Sequence, residues 1–187
     1  MAEETVEGQS KGPTAPYPAF QTLKTLIKPF KEHGPPSKID RSVLTSFSGA
    51  VGSQVLTMLK FLRLTDDDGR PSKKLQTLVE AYDTDAWPAA LAVVVRDAYA
   101  PLFKINLETA SPNEFNDEFR RAYPAADEVS RKSITFFLNA TREAGIKISP
   151  YVMKNKKPRT APAKKRAPKV NGAGAARRDQ PGDEDDV

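Results

Sequence analysis

Apolar positions in this chain recur at intervals of three and four residues, and no convincing run alternates at two. The pattern therefore predicts an all-α, or mainly helical, fold. Its strongest stretch is Ala50–Pro71, AVGSQVLTMLKFLRLTDDDGRP, where Val51, Val55, Met58, Leu59 and Leu62 fall on one helix face. Leu56, Phe61 and Leu64 lie off that face, which predicts a helix apolar over most of its girth and central among its neighbours. The stretch closes on TDDDGRPS, in which Gly69 and Pro71 stop a helix and three aspartates hold the chain in water.

Upstream, AFQTLKTLIKPFKEH sets Phe20, Leu23, Ile27 and Phe30 at helical spacing, and Pro29 is expected to end or kink that helix near Lys28. After Gly34-Pro35-Pro36, a short helix is expected over Asp40–Phe47, capped by Asp40 and buried through Ile39, Val43 and Phe47. Ser48-Gly49 turns the corner into the central helix. Downstream, Ser72–Ala81 reads as a helix with Leu75, Leu78 and Val79 inward. Thr84-Asp85 caps the next, which carries Trp87, Leu91, Val94, Val95, Ala98, Leu102 and Phe103, with Pro88 in its first turn and Pro101 as its stop or kink. Ser111-Pro112 opens a helix over Asn113–Tyr123. The last, Ala125–Ala144, shows Val129, Ile134, Phe137, Leu138 and Ala144 and ends at Gly145 as at a C-cap glycine. Ile146-Lys147-Ile148 reads as a short extended piece.

Two segments align without gaps. Pro36–Phe47 (PSKIDRSVLTSF) lies on Pro112–Tyr123 (PNEFNDEFRRAY), placing Ile39 on Phe115, Val43 on Phe119 and Phe47 on Tyr123. After a linker, Val55–Arg63 (VLTMLKFLR) lies on Ile134–Arg142 (ITFFLNATR). Each copy then reads as short helix, corner, long helix and polar or extended exit, over residues 36–71 and 112–149. That is the order of a helix-turn-helix with a rudimentary, degenerate wing. Two amphipathic helix pairs of any all-α domain would align in the same way, and the sequence leaves both alternatives open.

The pattern YPAF…GPPSKIDRSVLTSFSGAVGSQVLTMLKFLRLTDDDGRPS, followed by AYAPLF and KSITFFLNATREAGIKIS, resembles a bacterial family known only as a domain of unknown function, number 5343. The likeness spans about residues 17–149, and its most specific part is the central helix with its D-D-D-G-R-P exit. It implies a domain boundary and brings no activity or catalytic residues.

Charge divides the chain. Residues 1–153 hold 19 Lys and Arg against 19 Asp and Glu, whereas residues 154–187 hold ten basic and five acidic side chains. The net charge of +5 thus belongs to the C-terminal segment. Residues 1–16 lack apolar periodicity and are expected to be disordered, residues 17–153 to form the helical domain, and residues 154–187 to be a disordered basic tail with an acidic end. The chain has no cysteine, so it has neither disulfides nor thiol chemistry. No apolar run reaches the ~18 residues of a membrane span, and the N-terminus has no signal-peptide core. The expected location is the cytoplasm, with the nucleoid as its DNA-bound form.

Candidate chemistry is sparse. The single histidine, His33, sits in a Gly-Pro-Pro corner and reads as solvent-facing. Neither a G-x-S-x-G elbow nor a glycine-rich phosphate loop is present, so no catalytic residue and no cofactor are expected. Asp66-Asp67-Asp68-Gly69 lacks the alternate spacing of a calcium loop and reads as a turn, leaving no expected metal ligand. If the repeats are helix-turn-helix units, bases would meet Ser48–Gln54 or Asp127–Ser133. The first is nearly uncharged. In the second, Arg131 and Lys132 reach toward phosphates beside the repelling Asp127 and Glu128.

The tail offers more: Lys156, Lys157, Arg159, Lys164, Lys165, Arg166, Lys169, Arg177 and Arg178 lie among Pro and Ala, as in the tails of linker histones and bacterial nucleoid proteins. Such a block binds phosphates through counterion release without reading sequence, and with no aromatic residues it does not stack on bases. The expectation is a non-catalytic protein that binds nucleic acid, DNA first, with the tail supplying most of the affinity. The alternative is an adaptor whose helical domain recognises another protein and whose tail only solubilises.

Overall fold

A computed structural model describes residues 14–154 of the chain. Among these residues it contains seven α-helices and no strand. They are α1 (Phe20–His33), α2 (Gly49–Phe61), α3 (Lys73–Ala81), α4 (Trp87–Ala98), α5 (Pro112–Ala122), α6 (Asp127–Glu143) and α7 (Pro150–Lys154), with a short 3-10 helix over Ala100–Lys104 between α4 and α5.

Helix ends obey local chemistry. Ser72 accepts a hydrogen bond from the Leu75 N–H and starts α3. Ser111 starts α5 with a full capping box: its hydroxyl accepts from the Glu114 N–H, and the Glu114 carboxylate accepts from the Ser111 N–H, with Pro112 at the first helical position. Gly145, at φ 67°, closes α6 as expected of a glycine just past a helix end. Pro101 marks the switch from α4 to the 3-10 helix.

Two expectations change here, each for a local reason: an end of α1 near Lys28 and a helix over residues 40–47. The helix α1 runs through Pro29 to His33. Pro29 and Thr25 both lie on its exposed side, where water can satisfy the Thr25 carbonyl that lacks an i+4 donor. Residues 40–47 form consecutive turns in place of the expected short helix. Asp40 accepts hydrogen bonds from both the N–H and the hydroxyl of Ser42, an Asx-type turn that competes with helix formation. The buried pair is then Ile39 and Leu44, while Phe47 is only half-buried and Val43 is 37% exposed. The first aligned copy thus lacks its opening helix, whereas the second has both helices, α5 and α6. The piece Ile146-Lys147-Ile148 pairs with no strand.

The interior is centred on α4, which packs against α3, α6 and the 3-10 helix, while α1 covers α3 and α6. The helix expected to be central, α2, lies beside this layer. It buries Val55, Met58 and Leu59, and its Phe61 ring sits edge-on to Tyr99 and Tyr123 at 5.0 and 5.3 Å. Arg63 adopts φ 55° just beyond it, and Leu62 and Leu64 on either side are both buried. Tyr99, Phe115, Phe119 and Phe137 complete an aromatic cluster with these rings, Phe115 stacking on Phe137 at 5.8 Å. Burial pushes the Tyr123 phenol up to about 12 and holds that of the fully buried Tyr99 well above its ordinary value.

The D-D-D-G-R-P exit of α2 is a closed turn. A single antiparallel bridge joins Thr65 to Pro71. Asp66 accepts from the Arg70 N–H at 2.7 Å, and the Asp68 carboxylate pairs with Arg70 at 3.0 Å. The Gly69 carbonyl accepts from the Ile39 N–H at 2.8 Å. Gly69 has φ 86°, and a Cβ there would lie 2.6 Å from the Ile39 carbonyl oxygen. The motif therefore fastens the end of α2 to the turns before it.

Candidate functional site

Two of the expected nucleic-acid ligands, Arg131 and Lys132, lie among the described residues; both are exposed on the second turn of α6. The other nine, Lys156, Lys157, Arg159, Lys164, Lys165, Arg166, Lys169, Arg177 and Arg178, lie outside them. Arg131 Nε donates to the Asp127 carbonyl at 3.2 Å. Lys132 pairs with Glu128 at 2.8 Å, one turn earlier on the same helix, and this pairing holds the Glu128 carboxyl below its usual range. Asp127 is itself taken by Arg120 of α5 at 3.2 Å. The acidic residues expected to repel phosphate thus have cationic partners of their own.

What sequence spacing did not show is the company these two cations keep. The chain before α1 crosses α6, with Ala15 and Pro16 buried and the Ala15 carbonyl accepting from the buried Ser133 hydroxyl at 3.1 Å. Phe20 meets Phe136 edge-to-face at 5.6 Å. Between this segment and α6 runs a cleft of about 450 Å³, lined by Tyr17, Phe20, Glu128, Arg131, Lys132, Thr135, Phe136 and Asn139 among others. Its α6 wall follows the helix period, but Tyr17 is more than a hundred positions away in the chain, so no local signal could have joined them.

The other proposed reading surface, Ser48–Gln54, opens α2. There the Ser53 hydroxyl turns back to the Gly49 carbonyl at 3.3 Å, and Arg41 bonds that same carbonyl. His33 is exposed at the end of α1, as its corner position implied, with Glu32 3.9 Å away. It borders a second cleft of about 430 Å³ that includes Pro29, Pro35, Val43 and Phe47.

A third, polar cleft of about 470 Å³ lies where α1, α4 and α6 meet. Glu143 Oε1 accepts both from Lys24 Nζ at 2.6 Å and from the Trp87 indole N–H at 3.1 Å. The bond to Glu143 raises the Lys24 ammonium above its ordinary value. These partners satisfy one another, which gives the cleft the character of an internal tie.

The family of unknown function DUF5343 matches residues 16–149. The chain belongs to this family. The match coincides with the span over which the motifs resembled it, and takes in α1 to α6, the glycine-locked turn and the α6 cleft. No curated protein and no solved structure matches the DUF5343 chain. Among its described residues no helix is long and apolar enough to cross a membrane.

Proposed function

We propose that this DUF5343 protein is a non-catalytic nucleic-acid-binding protein, in which the Lys/Arg/Pro/Ala-rich residues 154–187 supply most of the phosphate contacts. The observation that carries this reading is the segregation of charge. Residues 1–153 are balanced at 19 basic and 19 acidic side chains, and ten basic residues are concentrated in the last 34 positions. On the helical domain, Lys24, Arg63, Arg70, Lys74, Arg120, Arg121 and Lys132 each stand within ion-pair distance of a carboxylate. With residues 1–153 neutral overall, the net charge of +5 is that of the C-terminal block.

The test is anisotropy of a labelled duplex against the full-length protein and a version ending at Lys154, across a salt series. Full-length protein should bind with a log–log salt slope as steep as roughly −9, given about −0.9 per phosphate neutralised. The shortened protein should lose most of both affinity and slope. Equal affinity and slope for the two proteins would overturn the proposal.

A second reading, a protein-binding adaptor, is favoured by the apolar cleft beside Val43, the one large aliphatic side chain of the turn region that is 37% exposed. It predicts a partner retained by residues 1–154 in high salt and lost on Val43→Asp.

A further inference from the structure

We infer that the cleft between the Tyr17 segment and α6 is a site for single-stranded nucleic acid, taking a phosphate at one end and a base at the other. The inference rests on the nucleic-acid reading above and gives the folded domain a part in it. The cleft, about 450 Å³, is within the ~300–1,000 Å³ of small-ligand sites, large enough for a nucleotide. Its wall on α6 is graded: Glu128 comes first, neutralised by Lys132, then Arg131 and Lys132, then Thr135 and Phe136, then Asn139. From residue 131 to 139 the helix rises about 12 Å, at about 1.5 Å per residue.

The chemistry of the two ends differs. Lys132 already shares its charge with Glu128 at 2.8 Å, so Arg131 is the stronger phosphate ligand. Arg131 makes no ion pair among the described residues; its one hydrogen bond there goes through Nε to a backbone carbonyl. Its two terminal nitrogens remain for a bidentate contact with phosphate oxygens. At the other end of the α6 wall, the half-buried Asn139 offers an amide donor and acceptor for a base edge, and the facing segment contributes the half-buried aromatic ring of Tyr17.

A duplex keeps its base faces stacked and out of reach, whereas a single strand can turn a base inward. Residues 154–187 contain no aromatic side chain. The cleft therefore provides the stacking that the basic block lacks. The expected division is a sequence-blind electrostatic grip from the tail and a strand-selective contact from the domain.

The test uses full-length protein, a labelled mixed-sequence single strand and the duplex made from it, both at fixed salt. Tyr17→Ala should weaken single-strand binding roughly tenfold, the scale of one lost base–aromatic stack, and leave duplex binding within about twofold. Tyr17→Phe should keep wild-type behaviour. Arg131→Gln should lower the single-strand salt slope by about 0.7. Because Tyr17→Ala also loosens the segment before α1, Asn139→Ala serves as a second variant and should show a smaller loss with the same strand selectivity.

Wild-type binding to both probes with equal or no losses in Tyr17→Ala and Asn139→Ala would overturn the cleft and leave the tail reading standing. Failure of wild type to bind either probe would overturn both. A polyglutamate peptide that binds in a Tyr17-dependent way while the single strand does not would reassign the cleft to an acidic protein partner.

Discussion

The Tyr99 hydroxyl is wholly buried, at the point where α4 gives way to the 3-10 helix, and has no hydrogen-bond partner among the described residues. Its ring is held by Phe61, Tyr123 and Phe137, at centroid distances of 5.0, 5.6 and 4.8 Å. The ring contributes packing, while the oxygen has left water without compensation, a penalty of about 1–3 kcal/mol. Tyr99→Phe keeps the ring and removes the orphan, so it should raise stability by about 1 kcal/mol in urea unfolding followed by circular dichroism. A loss would mean that the hydroxyl has a partner, such as an ordered water. The neighbouring Tyr123 differs, since its hydroxyl donates to the Ala98 carbonyl at 3.3 Å.

Among the elements, those whose ends are fixed by near neighbours were legible in the sequence. Ser72, the Ser111–Glu114 box and Gly145 act within four residues, and the helices they bound are where the pattern placed them. Residues 40–47 were misread because the apolar spacing of Ile39, Val43 and Phe47 suits a helix, while Asp40 and Ser42 form a turn that spacing does not weigh. Pro29 does not end α1, since its effect depends on which side of the helix faces water. The junction of α2, α3 and α4 was not legible at all. There Asp97 takes both Lys74 and Arg63, the latter at 3.2 Å, and Arg63 is in the left-handed region.

The Lys74 bond holds the Asp97 carboxyl below the ordinary aspartate value of 3.8. A carboxyl lowered by folding stabilises above its unfolded pKa, and that gain is lost as pH falls through the folded value. With the side chains a third or more exposed, the gain is small, about 0.5–1 kcal/mol. Asp97→Asn should be less stable than wild type by that amount at pH 7, with the gap closing below about pH 3.8. A gap that persists into acid would show that packing, not charge, is what the substitution disturbs.

At the scale of the whole molecule, Glu143 joins three helices through one carboxylate oxygen: its own α6, α1 through Lys24, and α4 through Trp87. Lys24 is raised by this partner above the ordinary lysine value of 10.5. A lysine so raised stabilises fully below its unfolded pKa, and the gain disappears as pH rises through the folded value. Glu143→Gln should thus cost about 1 kcal/mol at pH 7, after allowance for side chains that are a quarter to a third exposed. The difference should shrink above about pH 10.5 when stability is measured across alkaline pH. A constant difference would assign the effect to the Trp87 bond instead. Sequence reading placed Trp87 as a core residue and passed over Glu143, because their partnership spans 56 positions. The same non-locality hid the α6 cleft, whose cations were visible and whose opposite wall was not.

Trp87 is the only tryptophan in the chain, and it sits at that three-helix tie. The protein therefore carries its own optical reporter. Indole emission comes from a single, 6% exposed ring bonded to one carboxylate and set edge-on to Tyr82 at 5.2 Å. A change in its wavelength or intensity can be assigned to one address in the fold, without labelling and without a second tryptophan to confuse the signal.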